Sequence, residues 1–180
     1  MEAKMWIDSV VSDDILLRQG KYVQTCAHLE KVLWHILFDA NGYDLENDEH
    51  INAAFSQRKV TTKLISGLRG AIKAGQVAFP DRVIAILDEI ERDIDNRHMA
   101  VHGAWVTRPD GTFTCEYFKN FGTSKKPEWR AYSAPISAEQ IDEALAAADR
   151  LLGEAIKTWR AIGDQREASR ATTAGIKSSH

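Results

Sequence analysis

Apolar residues recur at every third or fourth position in four long segments of this chain, and that periodicity calls for helices packed against one another. Ser12-Asp13-Asp14 supplies a capping oxygen and two acids suited to the positive end of a helix. The helix it opens runs to about Ala40, with Val23, Cys26, Leu29, Leu33, Ile36 and Leu37 on one side; Gly20 is a place where it could divide, and Asn41-Gly42 stops it. A second segment, Asp48 to Ala74, carries Ile51, Phe55, Leu64, Ile65, Leu68 and Ile72 before Gly75. Its charged side (Arg58, Lys59, Lys63, Arg69, Lys73) reads as a solvated face. A third opens with Pro80 in its first turn and runs to His102, where Gly103 ends it. Its stripe is Val83, Leu87, Ile90, Ile94 and Val101.

The texture changes after Gly103. Ala104 to Thr107 and Thr112 to Phe118 are rich in aromatic and β-branched residues, and Arg108-Pro109-Asp110-Gly111 between them is a turn sequence. Glu128 to Tyr132 adds a third strand. Ser137-Ala138-Glu139-Gln140 is a capping box, opening a helix to about Ile162 with Ile141, Leu145, Ala148, Leu152, Ile156 and Trp159 on one side. These elements predict an all-α fold: an up-and-down helical bundle of four to five helices, with a small antiparallel β-hairpin or sheet inserted between the third and last long helices. The expected organisation is one domain over residues 1–163, the β insertion at 104–133, and a polar, disordered tail at 164–180.

Composition narrows the class. With 44% hydrophobic residues and a net charge of -3, the chain can bury a core but does not present a broadly basic surface, so any nucleic-acid contact should be local. Cys26 and Cys115 are spaced as neither a metal pair nor a disulfide framework. No signal-like apolar block and no run of about 20 apolar residues occurs. The expectation is a soluble, cytoplasmic protein.

The chemistry concentrates in Asp95-Asn96-Arg97-His98-Met99-Ala100-Val101-His102-Gly103. On a continuous helix Arg97 occupies the apolar stripe, three residues after Ile94 and four before Val101. A lone guanidinium buried there is costly, so it needs a partner such as Asp93, a cleft or an interface. Asp95, His98 and His102, with Glu91 a turn earlier, resemble part of a helical di-iron site, but no second carboxylate-x-x-His unit follows, and His98-x-x-x-His102 lacks the glutamate of a zinc-protease helix. No metal is expected. Phosphate chemistry fits better: arginine grips a phosphate through paired charge-assisted bonds, and histidine moves protons near neutral pH.

Arg97-His98-x-x-x-His102 resembles the arginine, polar residue, three variable residues, histidine motif of HEPN domains. Leu29-Glu30-Lys31 on the first helix, and Trp105 with a strand pair after the motif, are similar to many bacterial HEPN-like proteins; the likeness in pattern covers roughly residues 15 to 160. The resemblance implies a helical bundle that forms a homodimer with facing motif helices, acting as a metal-independent endoribonuclease without a cofactor, often in toxin-antitoxin or antiviral systems. By this resemblance Arg97 stabilises the phosphate, His102 is the catalytic acid or base, and His98 and Asn96 support substrate binding. An antitoxin or a nucleotidyltransferase is the kind of partner it implies. The alternatives are a non-catalytic HEPN-like dimer that binds a nucleotide or partner protein, and a bundle with no site.

Of the remaining residues, His28 and His35 are expected at the interior or boundary of the first helix and His50 at the surface. Trp34, Trp105, Trp129 and Trp159 are expected as packing residues. Aromatics beside Lys119, Lys125, Lys126 and Arg130 belong to a solvated hairpin, with base stacking as the functional alternative.

Overall fold

A computed structural model describes residues 10–44, 46–57, 61–108, 112–123 and 125–177. The described elements are α1 (Asp13–Ala40), α2 (Asp48–Gln57), α3 (Thr61–Lys73), α4 (Pro80–Arg92), α5 (Ile94–His102), β1 (Ala104–Thr107), β2 (Phe113–Asn120), β3 (Trp129–Pro135) and α6 (Ala138–Lys177). None of these helices is long and apolar enough to cross a membrane.

The fold is mostly helical, but the expected all-α bundle of four to five helices is not what forms. Six helices and a three-stranded antiparallel sheet occur among the described residues. The predicted 48–74 helix is α2 and α3; residues 58–60, between them, lie outside the described residues. The predicted 80–102 helix is α4 and α5, divided at Asp93, whose φ of -100° and ψ of 10° leave the helical basin. Gly20, by contrast, does not divide α1. α6 does not stop at Ile162 but continues to Lys177, through most of the segment expected as a tail.

The chain forms two compact units, Met1–Cys26 with Arg92–Asp149 and Ala27–Glu91 with Arg150–His180. In the second unit the core is mostly aliphatic, with Trp34 and Phe38 buried in it. Leu33, Ile36, Leu64, Leu68, Val83 and Leu87 are almost wholly buried. Two helices end here as the sequence predicts. Gly42 and Gly75 both adopt φ of 72°, and the residue after each donates its N–H five residues back, Tyr43 to Phe38 and Gln76 to Ala71. Arg69, on the face expected to be solvated, donates to both Asp88 and Glu91 at 2.6 Å and so ties α3 to α4. His35 stacks on Trp159, with centroids 5.1 Å apart. His28 is exposed rather than interior.

The sheet-bearing unit packs around Ile15, Tyr22, Cys26, Trp105, Cys115 and Ile141. β2 is the central strand. Its register sets Trp105 and Ala134 on either side of Cys115, and Tyr132 opposite Tyr117. Strand alternation buries Cys115 and Tyr117 and turns Phe118 to the other face, where it is 74% exposed. Trp129 is 64% exposed, so it is not the packing residue expected. The 109–111 turn lies outside the described residues. β1 accepts a further partner at its edge, because Thr107 donates to the carbonyl of Val10.

The capping box at α6 forms in full. The Ser137 backbone N–H donates to Gln140 Oε1 at 2.8 Å, and the Gln140 backbone N–H donates to Ser137 Oγ at 3.2 Å. Ser137→Ala leaves one of these donors unsatisfied and is expected to cost about 1 kcal/mol of stability, read from the shift in the urea unfolding midpoint at unchanged slope.

Candidate functional site

The break at Asp93 determines where the motif points. α5 starts a new helix, so it does not inherit the buried stripe of α4. Ala100 is its buried residue, Ile94 and Met99 are half-buried, and Val101, expected in the core, is 45% exposed. Arg97 is half-buried, whereas Asn96, His98 and His102 are exposed.

At roughly 100° per residue, these side chains divide into two flanks. His98 and His102, one turn apart, share a flank; their rings meet edge to face with centroids 6.1 Å apart. Asp95 lies beside them and accepts a hydrogen bond from Lys119 of β2, so the carboxylate nearest the histidines is already engaged. Glu91, the other carboxylate of the metal alternative, is bound to Arg69. No group of three or more His, Cys, Asp or Glu side chains is arranged to hold a metal among the described residues. Desolvation is the largest influence on the His98 imidazole and lowers its pKa below the ordinary value of 6.5. The neighbouring His102 lowers it further, with smaller opposition from Asp95. This shift favours the neutral imidazole, in which one ring nitrogen donates a hydrogen bond and the other accepts one.

Asn96 lies on the opposite flank, with Met99 and Ala100, and lines a cleft of about 460 Å³ within the sheet-bearing unit. Arg97 sits around the helix between the two flanks. Its charge is felt in the cleft: the pKa of the Tyr22 hydroxyl is raised chiefly by burial, then by the charge of Cys26 and its hydrogen bond with Cys26, and further by Asp93, while Arg97 lowers it. The motif is thus brought to one helix, but not to one pocket. Glu30, the first-helix glutamate of the resemblance, lies in the other unit, where the Thr61 hydroxyl donates to it.

Most of the cleft carries no signal in the sequence. Gln19 donates its Nε2 to the Ala100 carbonyl at 2.7 Å, fixing α1 against α5. Tyr22, Trp105, Tyr132 and Glu143 also line it. One signal was present: Gln19 occupies the apolar-stripe position four before Val23, where a polar amide needs an explanation.

Beyond the cleft, Phe121, just past the end of β2, is 52% exposed, with Lys119 Nζ 5.7 Å and Arg130 Cζ 5.4 Å from its ring centroid. The hairpin therefore displays aromatic and basic groups together on a chain that is acidic overall.

No protein-family model, curated protein or solved structure matches this chain.

Proposed function

We propose that this protein is a HEPN-like, metal-independent endoribonuclease that acts as a homodimer, with the α5 helices of two copies facing one another. The observation that carries this reading is the composition of the exposed side of α5. Half-buried Arg97 and the exposed His98 and His102 lie on either side of Val101 around the helix, and Val101 is an apolar residue left 45% exposed. An exposed aliphatic side chain framed by phosphate-binding and proton-transfer groups suits a helix that packs on its own copy around a polar cleft.

The chemistry needs no group beyond these side chains. A histidine takes the proton of a 2′-hydroxyl, and that oxygen attacks the adjacent phosphorus. The guanidinium of Arg97 neutralises the charge gathering on the phosphoryl oxygens. A second histidine returns a proton to the departing 5′-oxygen, leaving a cyclic phosphate and a 5′-hydroxyl. Two facing α5 helices would bring two such sets to one strand of RNA. The exposed aromatics Phe118, Phe121 and Trp129, with Lys119 and Arg130, suit the flanking single strand, whose bases stack and whose backbone is anionic. An antitoxin-like protein that covers the α5 face would be the corresponding regulator.

One observation favours the rival reading, a non-catalytic dimer that binds a nucleotide or partner protein: Asn96 turns away from the histidines and into the cleft. The two separate on incubation of the purified chain with single-stranded and structured RNA in EDTA. Cleavage, together with a dimer in analytical ultracentrifugation, is the expected result. Val101→Glu should turn the dimer into monomer and remove cleavage with it. A folded dimer that cuts none of the RNAs overturns the ribonuclease reading.

A further inference from the structure

Among the described residues, no lysine, arginine or histidine lines the cleft beside α5, which sets it apart from the basic surface that the ribonuclease reading would use. It does not suit a phosphate. Its volume, about 460 Å³, lies in the range of about 300–1,000 Å³ usual for small-molecule sites. Met99, Ile136 and Ile141 supply apolar surface, and Trp105 and Tyr132 supply aromatic rings. This combination accepts a flat, poorly hydrated ring.

The polar groups define the edge of that ring. Gln19 has spent one amide N–H on the Ala100 carbonyl, which leaves its side-chain oxygen as an acceptor beside the second N–H. Glu143 is acceptor-only when ionised, and it is exposed at the rim. Asn96 offers one acceptor and two donors. Gln140 and Tyr132 add further donors, so the cleft offers both donors and acceptors, and the Gln19, Asn96 and Glu143 oxygens can receive the N–H groups of a ligand edge. Amides and carboxylates are also the side chains that pair with the exocyclic amines of bases, as in asparagine or glutamine on adenine and glutamate on cytosine.

We propose that this cleft binds one unstacked nucleobase bearing an exocyclic amino group, presented either by RNA or by a free nucleoside. The RNA source rests on the ribonuclease reading and adds base selection to it. Asn96 and Arg97 are adjacent residues, about 3.8 Å apart at their Cα atoms. A base held by Asn96 therefore leaves its own phosphate within reach of the Arg97 side chain. The base enters the cleft, the phosphate stays outside it, and the two flanks of α5 divide one nucleotide between them.

Isothermal titration of the full chain with adenosine, cytidine, guanosine and uridine tests this. The three amino-bearing nucleosides should bind with Kd on the order of 0.1–1 mM, and uridine roughly tenfold or more weakly. Asn96→Leu, at an exposed helix position, should weaken binding about tenfold; Glu143→Gln should narrow the gap between cytidine and uridine. Absence of binding by every nucleoside, or affinities unmoved in both variants, overturns the proposal. RNA cleavage in EDTA, measured on the same preparations, keeps the two readings apart. Nucleoside binding without cleavage supports the base site and removes the ribonuclease. Cleavage at an unchanged rate in Asn96→Leu, without nucleoside binding, overturns the base site and leaves the ribonuclease standing. Competition assigns the source: inhibition of cleavage by cytidine or adenosine identifies an RNA base, and binding that leaves cleavage untouched identifies a free nucleoside.

Discussion

Arg97→Ala is expected to slow RNA cleavage by about 10³-fold, the scale seen when a group that stabilises charge on a transferring phosphoryl is removed. The loss should fall on kcat more than on RNA binding, because the other basic groups near this face, Lys119 and Arg130, remain to hold the strand. Arg97→Lys keeps the charge and loses the forked geometry, so it should recover only part of the rate. His102→Ala is expected to cost about 10²–10⁴-fold, the usual range for a general acid or base. Steady-state rates with a labelled oligonucleotide read both effects. Arg97 and Asp93 act in opposite directions on Tyr22, so each variant needs a thermal melt to show that its fold survives. A melting temperature like that of the unaltered protein with undiminished cleavage in Arg97→Ala would remove this residue from the chemistry.

The second large effect falls on stability. Gly103 closes α5, and its N–H donates to the Met99 carbonyl at 2.9 Å. Its φ of -79° is open to any residue, so the need for glycine is spatial rather than conformational. A Cβ there would stand 2.3 Å from Cys115 Sγ and 2.5 Å from the Met99 carbonyl oxygen. The first is a fully buried side chain and the second is backbone, so neither yields easily. Gly103→Ala is expected to destabilise the protein by about 3 kcal/mol through overpacking. Gly70→Ala provides the contrast. That residue lies inside α3 with nothing within 4 Å of the added Cβ, and the substitution should stabilise by roughly 0.5–1 kcal/mol. Urea unfolding of the two variants side by side separates a steric requirement from a general dislike of alanine. Equal midpoints would remove the packing argument.

What the sequence made legible was local. The Ser137 and Gln140 side chains reach each other across three residues, and Ser12-Asp13-Asp14 opens α1 where its composition says it should. β1 begins at Ala104 and ends at Thr107, as its aromatic and β-branched run indicates. The break at Asp93 was hidden because apolar spacing carries across it without a gap: Ile90, Ile94 and Val101 keep helical intervals in the sequence while the backbone turns. That one residue reversed the reading of Val101 from core to surface and took Arg97 off a buried stripe. The cleft was barely legible, through Gln19 on the apolar stripe, for a different reason. Gln19 and Ala100 are 81 residues apart, and no local pattern announces a contact at that separation. Of Arg97, His102, His98 and Asn96, only Asn96 lines it.

Cys115 has a practical meaning beyond packing. Its thiol is wholly buried against α5, directing its S–H to the Met99 carbonyl at 3.5 Å, and burial, reinforced by Glu116, pushes its pKa up to about 11. The deprotonated sulfur is the nucleophile that attacks an alkylating reagent, so the folded unit withholds both access and reactivity. An alkylating probe can reach this position only while β2 stands away from α5. The chain thus carries a native clock: the labelling rate at Cys115 counts the openings of the helix–strand contact that holds the candidate site in place.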